Sequence, residues 1–299
     1  MSVVVNPLHP VFAAEVIGLD LKQPTPALRD KVDAIMNQYA VSCIRDQFIN
    51  DEQQVAFSRL FGDLELQPAT RGNKARSPFP EIFNVTNLDA GGGFQKEGDL
   101  ARQYRLGNHL WHTDSSFRKV SGVYSLLSAR TIPPVGADTE FVDTRAAYDA
   151  LPETMKRRLE GLVAEHSIFY SRALNGGYTP SAEELKARPP AQHPLVRLHP
   201  GSKRKALYLA AHISHIVGWP HDESRALIDE LMDFATRPRF IYAHKWRDGD
   251  MVIWDNRCTM HRATPFEDNV HVRDLRRTTV REKRPPPHRR PVPPPLAAA

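Results

Sequence analysis

The fold is restricted most by a series of short β-rich runs that do not alternate regularly with helices. The runs read VSCIR, EIFNVTN, YSLLSARTI, TEFVD, KALYLAA, FIYAHKW, DMVIWDN and LRRTTV. A doubly wound sheet requires a helix between successive parallel strands, and this order lacks one. The pattern therefore predicts a mainly β fold, either an antiparallel barrel or a double-sheet roll. Between FIYAHKW and DMVIWDN, the pair Asp248-Gly249 predicts a hairpin.

Three segments have helical periodicity and helix start signals. Asn50 and Gln53 form a predicted capping box at the start of DEQQVAFSRLFG. A second pattern runs through TRAAYDALPETMKRRLEGLVAEH and is broken near Pro152, and a third, DESRALIDELMDFATR, begins after Pro220. These segments predict helices that flank the β structure.

The formal net charge of +5 is concentrated at the C-terminal end. Residues 281–299 contain five basic residues and one acidic residue, so the preceding 280 residues are almost neutral. A nearly neutral body is not the charge pattern of a nucleic-acid-binding protein. Because 281–299 is also rich in proline, we predict a single domain at 1–280 followed by a disordered tail.

Cysteine content and hydropathy indicate the compartment. Cys43 and Cys258 are too few for a disulfide framework, which predicts buried thiols in a cytoplasmic protein. No apolar run reaches about 18 residues, so no membrane span is predicted. The N-terminal residues 1–21 lack a basic leader and are predicted to join the fold. Homo-oligomerisation is left open.

The segment GNHLWHTDSSF carries the most informative chemistry. In an extended backbone, His112 and Asp114 point to the same side, because residues two apart share a face. Downstream, WDNRCTMHR offers His261 after a β-rich run. Two histidines and one carboxylate on one face of an octahedron leave three positions open, which is typical of non-haem Fe(II) oxygenases.

This spacing alone is not unique. His221 and Glu223 repeat it, but they lie at a predicted helix start, where residues two apart diverge. A zinc hydrolase is an alternative, since the same ligand types also form open zinc sites. The remaining histidines favour surface or structural positions, and His166 is predicted near a helix end; the others considered are His9, His193, His199, His212, His215 and His288.

The run VRDLRRTT places Arg273 and Arg277 four residues apart, so in a strand they face the same way. Two inward guanidinium groups are costly unless they meet anions, and their planar donors suit carboxylates. An edge strand with solvent-exposed arginines is the alternative. The first interpretation predicts two acidic ligands, a co-substrate and a small anionic organic substrate.

Together these motifs resemble the taurine dioxygenase superfamily, and especially its 2,4-dichlorophenoxyacetate (aryloxyalkanoate) branch. The similarity covers about 1–280 and includes NPLHPVFAAEVIGLDL, LWHTDSSF, GADTEFVDTRAAYDALP, HPGSKRKALYLAAH and WDNRCTMHR. The resemblance implies a double-stranded β-helix, or jelly-roll. It also implies a dioxygenase that uses Fe(II), 2-oxoglutarate and O2 to hydroxylate a small acid.

Site roles follow from the same resemblance. It implies that His112, Asp114 and His261 bind iron, and that Arg277 binds the anionic group of the primary substrate. The residues it implies for 2-oxoglutarate are Arg273, Thr139 and Asn108. With an aryloxyacetate, ether cleavage would give a phenol and glyoxylate, with succinate and CO2 from the co-substrate. Taurine-like sulfonates and alkyl sulfates are alternative substrates.

The chain departs from the family pattern in two places. Gly136-Ala137 replaces the usual Gly-Gly, and a positive φ at the second position would strain an alanine. The region 66–104 aligns poorly with the family. Arg71 and Lys74 are candidates there for a second contact with the substrate anion.

Overall fold

The computed structural model describes residues 3–67, 77–174 and 178–283. The strands are β1 (Val4–Pro7), β2 (Ala14–Ile17), β3 (Val41–Ile44), β4 (Phe83–Thr86), β5 (Gly122–Thr131), β6 (Thr139–Asp143), β7 (Val163–His166), β8 (Ala191–Pro194), β9 (Val196–Leu198), β10 (Lys205–Leu207), β11 (Ile213–Ile216), β12 (Ile241–His244), β13 (Met251–Asp255), β14 (Thr259–Ala263) and β15 (Asp274–Arg281). The helices are α1 (Pro26–Tyr39), α2 (Asp51–Arg59), α3 (Leu100–Leu106), α4 (Thr144–Asp149), α5 (Glu153–Arg158), α6 (Ile168–Leu174), α7 (Ala182–Ala187) and α8 (His221–Ala235), with short 3₁₀ helices at Gly107–His109 and Pro238–Phe240.

Two sheets form the centre of the molecule. The larger has seven strands in the order β1-β2-β3-β13-β5-β15-β4, and the smaller has the order β12-β6-β14. Of the strand pairs in these two sheets only β2 and β3 run parallel, and the other pairs are antiparallel. Two further small sheets are β11-β7-β8 and β10-β9. The prediction of a mainly β fold with flanking helices is confirmed.

The two central sheets pack face to face. Trp254 on β13 lies 5.5 Å from Phe141 on β6, measured between ring centroids. Both are fully buried and belong to one apolar cluster with Leu127 of β5. The preceding residue, Leu126, belongs to a different cluster with Phe57 of α2. Since successive strand residues point to opposite faces, helices cover one side of the large sheet and the small sheet covers the other.

The predicted helices form, with one exception in extent. Asn50 and Gln53 make both hydrogen bonds of the capping box that starts α2. The segment with Pro152 divides into α4 and α5, but its last part, Val163–His166, is strand β7 and not helix. Gly161, with a φ of 76°, ends the helical turn there, so His166 lies at a strand end. Among the described residues, no helix has the length and apolar character needed to cross a membrane.

The hairpin predicted at Asp248-Gly249 is wrong. Strand β12 pairs with β6 in the small sheet, whereas β13 pairs with β3 and β5 in the large sheet. Gly249 adopts a positive φ of 83° and bonds to Ala129 of β5. The Asp-Gly turn therefore carries the chain from the small sheet to the large one, because both partners of β13, the strand after the turn, lie in the large sheet.

Both ends of the described body join the sheets. Strands β1 and β2 belong to the seven-stranded sheet, which confirms that the N-terminal segment is part of the fold. At the other end, β15 reaches Arg281, and Glu282 accepts hydrogen bonds from Arg197 (2.8 Å) and Ser121 (2.5 Å). The packed region thus passes the boundary expected at 280. Residues 284–299 of the predicted tail lie outside the described residues.

Ala137 precedes β6 in a left-handed conformation. Its φ is 61° and its side chain is fully buried. An alanine in this region costs roughly 1–2 kcal/mol. We expect Ala137→Gly to raise the free energy of unfolding by about 0.5–1 kcal/mol, because relief of that strain exceeds the entropic cost of glycine. Urea denaturation followed by circular dichroism measures the difference.

The matched control is a buried helical alanine. Ala147→Gly in α4 is expected to lower the free energy of unfolding by about 1 kcal/mol. If both variants lose stability equally, the backbone at Ala137 is not strained.

Candidate active site

The two histidines of the predicted group lie side by side because the backbone pairs them. His112 N donates to His261 O at 3.0 Å and His261 N donates to His112 O at 2.8 Å, an isolated antiparallel bridge to β14. Their rings lie 4.2 Å apart between centroids. These two hydrogen bonds hold His112, whose own segment is not a strand, against β14 of the small sheet.

Asp114 returns to the same side of this segment. The intervening Thr113 points away, donating to Leu209 O and Thr259 O. Asp114 Oδ1 lies 4.0 Å from His112 Nε2, and Oδ2 lies 3.8 Å from His261 Nε2. The three side chains are buried, and their ligand atoms lie within 4.8 Å of one another.

Two neighbours orient the carboxylate of Asp114. Arg277 Nη1 donates to Oδ1 at 2.5 Å, and Ser125 Oγ donates to Oδ2 at 2.7 Å. Asn256 Nδ2 donates in turn to Ser125 Oγ, and Trp254 Nε1 donates to Asn256 Oδ1. This chain of hydrogen bonds fixes the direction in which the carboxylate oxygens point.

The charges of the group suit a divalent cation. Burial lowers the pKa of His112 and of His261, so both rings are neutral near pH 7. Burial alone would raise the pKa of Asp114, but Arg277 and the two histidines outweigh it, so that pKa lies well below its usual value. Because His112 Nδ1 is 2.7 Å from Leu110 O, the proton of the ring lies there and the lone pair of Nε2 faces Asp114.

Two other buried groups of metal-ligand type exist among the described residues. They are Cys43, His244 and Asp250 in one and His199, Asp255 and Cys258 in the other. Burial raises the pKa of both thiols, so neither sulfur is a thiolate. Neither group lines the two cavities that adjoin His112, so the structure favours the His112 group as the candidate metal centre.

A narrow cavity of about 50 Å³ adjoins His112, Asp114 and His261, which together are called the metal group below. It is lined by Arg273, Thr139 and Asn108. Arg273 is buried; its Nε lies 3.3 Å from Ala137 O and its Nη2 3.4 Å from Thr139 Oγ1. Within the described ranges, no carboxylate forms an ion pair with it. Burial, and then the nearby Arg105, lowers the pKa of Arg273 to about 10, so it is still a cation at pH 7.

A wider cavity of about 170 Å³ adjoins the narrow one, and both are lined by Asn108, His112 and Arg277. Its walls combine aromatic and aliphatic side chains, such as Phe117 and Ile168, with polar and charged ones. The metal group therefore lies where the narrow cavity that contains Arg273 meets a wider cavity of mixed polar and apolar lining.

Most predicted site residues come together here. The two cavities are lined by His112, Asp114, His261, Asn108, Thr139, Arg273 and Arg277. His221 instead starts α8 at the surface, as expected from its helical context. Arg71 and Lys74 lie outside the described residues.

Sequence reasoning missed two residues of the wider cavity. His212, interpreted as an ordinary structural histidine, lines the wall with its ring 6.0 Å from that of His112. Its Nδ1 lies 2.8 Å from Ser171 Oγ. Arg172, on α6, lines the same cavity. Neither belongs to a motif with a fixed spacing, so only the packing of α6 against β11 could reveal them.

Comparison with known proteins identifies the family. The taurine catabolism dioxygenase TauD, TfdA family matches residues 5–279. The chain belongs to this family. It is 42% identical over 94% of its length, and 98% of the relative's, to an alpha-ketoglutarate-dependent 2,4-dichlorophenoxyacetate dioxygenase of Cupriavidus pinatubonensis. It is 37% identical, over 88% of its length and 90% of the relative's, to an (S)-phenoxypropionate/alpha-ketoglutarate-dioxygenase of Sphingobium herbicidovorans.

A solved structure agrees in fold. The crystal structure of AAD-2 in complex with Mn(II) and N-oxalylglycine superposes with a TM-score of 0.89 at 40% identity, covering 97% of this chain and all of AAD-2. The predicted resemblance is confirmed, and this TauD, TfdA family member is a dioxygenase dependent on Fe(II), 2-oxoglutarate and O2. Family membership sets aside the zinc hydrolase.

Proposed function

We propose that this dioxygenase hydroxylates an aryloxyalkanoate such as 2,4-dichlorophenoxyacetate. The unstable product would cleave to a phenol and glyoxylate, while 2-oxoglutarate becomes succinate and CO2. The observation that carries this proposal is the wider cavity, where the apolar side chains of Phe117 and Ile168 and the cation of Arg277 lie together beside the metal group. Such a cavity suits a ligand that is apolar at one end and anionic at the other.

For iron, we propose His112, Asp114 and His261 as ligands. Two neutral imidazoles and a carboxylate supply the donor set. Side-chain hydrogen bonds orient His112 and Asp114, and the backbone of His261 pairs with that of His112. When bound, Fe(II) with O2 and 2-oxoglutarate supplies the oxidising chemistry that replaces a C–H bond by C–OH. This chain's own residues hold and orient the two organic acids and exclude bulk water.

For 2-oxoglutarate, we propose the narrow cavity. Arg273 offers a buried guanidinium group without a carboxylate partner among the described residues, and Thr139 Oγ1 lies beside it. Thr139 Oγ1 also accepts from Trp246 Nε1 at 2.9 Å, which leaves its own hydrogen for a ligand oxygen. Asn108 lines both cavities and can contact either acid.

For the fold, we infer that the two facing central sheets are the double-stranded β-helix of a single domain at about 1–280. Their antiparallel pairing and the position of the metal group between them support this inference. A cytoplasmic location stays a prediction; it is consistent with two buried free cysteines. Whether the enzyme is a homo-oligomer stays open.

A succinate-release screen tests the proposal. Purified enzyme with Fe(II), ascorbate and 2-oxoglutarate is supplied with aryloxyacetates, both hands of aryloxypropionates, taurine and an alkyl sulfate. We expect turnover with an aryloxyalkanoate and release of the matching phenol. Succinate release with taurine or the alkyl sulfate, and none with the aryloxy acids, would replace the proposed substrate class by a sulfonate or sulfate ester.

Arg277→Leu is expected to weaken the primary substrate selectively. Loss of a charge-assisted contact to an anion should raise its KM by about 10- to 100-fold, while the KM for 2-oxoglutarate changes little. Ser125 still holds Asp114, so iron binding should persist. A neutral methyl ester should gain relative to the free acid in this variant.

Arg281→Leu removes an exposed arginine at the end of the same strand. It is the control for any general effect of removing an arginine from β15. If Arg277→Leu melts normally and still prefers the acid over the ester as strongly as the wild type, another residue binds the anion.

A further inference from the structure

Two guanidinium groups in the described part of the chain have a buried nitrogen without a hydrogen-bond partner. These nitrogens are Nε of Arg277 and Nη1 of Arg172. Both side chains line the wider cavity. Because a buried donor that lacks an acceptor costs about 1–3 kcal/mol, two such donors in one cavity indicate a ligand with two acceptor ends.

Arg172 lies apart from the metal group. Its guanidinium carbon lies 3.7 Å from the ring centroid of Tyr104 on α3, a close cation–π contact. Arg277, in contrast, touches Asp114 itself. The two cations therefore mark different parts of one cavity, one at the candidate iron ligands and one against the aromatic wall.

The charge of Arg172 is not neutralised by a neighbouring acid. No ion pair within 4 Å joins it to a carboxylate of the described residues. Burial lowers the pKa of Arg172 whereas the charge of Glu184 raises it, and this carboxylate accepts a hydrogen bond from the hydroxyl of Tyr178 at 2.7 Å. A half-buried cation with a buried, unpartnered donor and without an ion-pair partner among the described residues suits an anion or a strong acceptor.

We propose that Arg172 binds a second anionic or strongly hydrogen-bond-accepting group at the end of the substrate remote from the reacting carbon. This inference rests on the proposed function and deepens it: among aryloxyalkanoates, the site favours those whose ring carries such a substituent, of which a second carboxylate is the strongest form. Arg277 holds the carboxylate near the iron ligands, the ring packs on the apolar walls, and Arg172 with Tyr104 receives the ring substituent.

The test compares 4-carboxyphenoxyacetate with 4-methylphenoxyacetate, which has a similar shape but a neutral substituent. For the wild type we expect the KM of the dicarboxylate to be lower by about 10- to 100-fold. Arg172→Met should abolish that difference by raising the KM of the dicarboxylate, and Arg172→Lys should keep part of it. Equal KM values in the wild type, or a preference that survives in Arg172→Met, would overturn the inference.

Arg225→Met is the matched control. Arg225 also stacks on an aromatic residue of α6, Tyr170, but its donors are satisfied by Ile213 O and Asp229. It should keep the wild-type preference, and loss of the preference there as well would overturn the assignment to Arg172.

A binding measurement separates this inference from the proposed function. Calorimetry on the protein with Mn(II) and N-oxalylglycine, which does not turn over, reports the affinity for both acids. If the wild type binds the dicarboxylate more tightly through Arg172 but hydroxylates neither acid, the proposed reaction fails and the anion site stands. If it hydroxylates the methyl compound and binds both acids equally, the reaction stands and the anion site fails.

Discussion

Replacing His112, Asp114 or His261 by alanine is expected to abolish turnover and to reduce iron binding to background in each case. Removal of one ligand leaves two protein donors, and hydrogen-bonding partners of metal ligands alone are worth 10- to about 100-fold, so loss of a ligand should exceed about 100-fold. The fold should survive, because the bridge between His112 and His261 uses backbone atoms only. Iron content after anaerobic loading, succinate release and a thermal melt measure the three consequences.

Two other histidines serve as controls, one far from the metal group and one close to it. His221→Ala removes an exposed histidine at the start of α8 and should leave iron binding and turnover unchanged. His212→Ala is more demanding, because its ring lies 6.0 Å from that of His112 in the same cavity wall. It should retain iron even if substrate binding weakens. Full activity in a metal-loaded variant of any proposed ligand would contradict the ligand assignment.

The parts of the site that sequence reasoning predicted are those with local spacing. His112 and Asp114 share a face because the segment between them is extended, and Thr113 is directed away by two hydrogen bonds. Arg277 lies on β15 and Arg273 directly precedes this strand, and both line the narrow cavity. Periodicity is a property of the backbone, so it can be recognised without the fold.

The failures depend on contacts between distant segments. Asp248-Gly249 has the composition of a hairpin turn, yet β13 finds its partners in β3 and β5. Val163–His166 continues a helical pattern but is strand β7, because β8 and β11 pair with it on both sides. In both places tertiary pairing overrides the local preference.

Arg172 could not have been found in this way. It has no motif, and its importance appears only when its unpaired Nη1 and the stacked Tyr104 are seen in one cavity with Arg277. Burial of a cationic nitrogen without an ion-pair partner among the described residues is a property of the packed molecule. The same property, not spacing, distinguishes Arg273 from the other arginines of the narrow cavity.

Arg273→Met is expected to raise the KM for 2-oxoglutarate by about 30-fold to several-thousand-fold, and the KM for the primary substrate far less. A buried charge-assisted contact to a carboxylate is worth roughly 2–5 kcal/mol when one partner is removed. The KM of Arg273→Lys for 2-oxoglutarate should lie between those of the wild type and Arg273→Met, because a lysine keeps the charge but loses the paired donors. Succinate release at varied 2-oxoglutarate and fixed primary substrate gives the values.

Arg105→Met is the matched control, because Arg105 lines the same narrow cavity but already pairs with Asp268 at 2.5 Å. Its loss should change the KM for 2-oxoglutarate by no more than about fivefold, since a partly exposed pair contributes little. Equal effects of the two substitutions would mean that overall positive charge, and not Arg273 itself, attracts the co-substrate.

A thermal melt distinguishes a binding role of Arg273 from a structural one. In the absence of ligand, Arg273 is a buried cation without a carboxylate partner among the described residues, so its removal relieves a desolvation cost. Arg273→Met without ligand should therefore melt at or above the wild-type temperature. A ligand that binds only the folded state raises the melting temperature according to its concentration relative to Kd, so 2-oxoglutarate with Mn(II) should stabilise the wild type and not the variant. A variant that melts far below the wild type without ligand, yet is still stabilised by 2-oxoglutarate, would show that Arg273 supports the fold and that the co-substrate binds elsewhere.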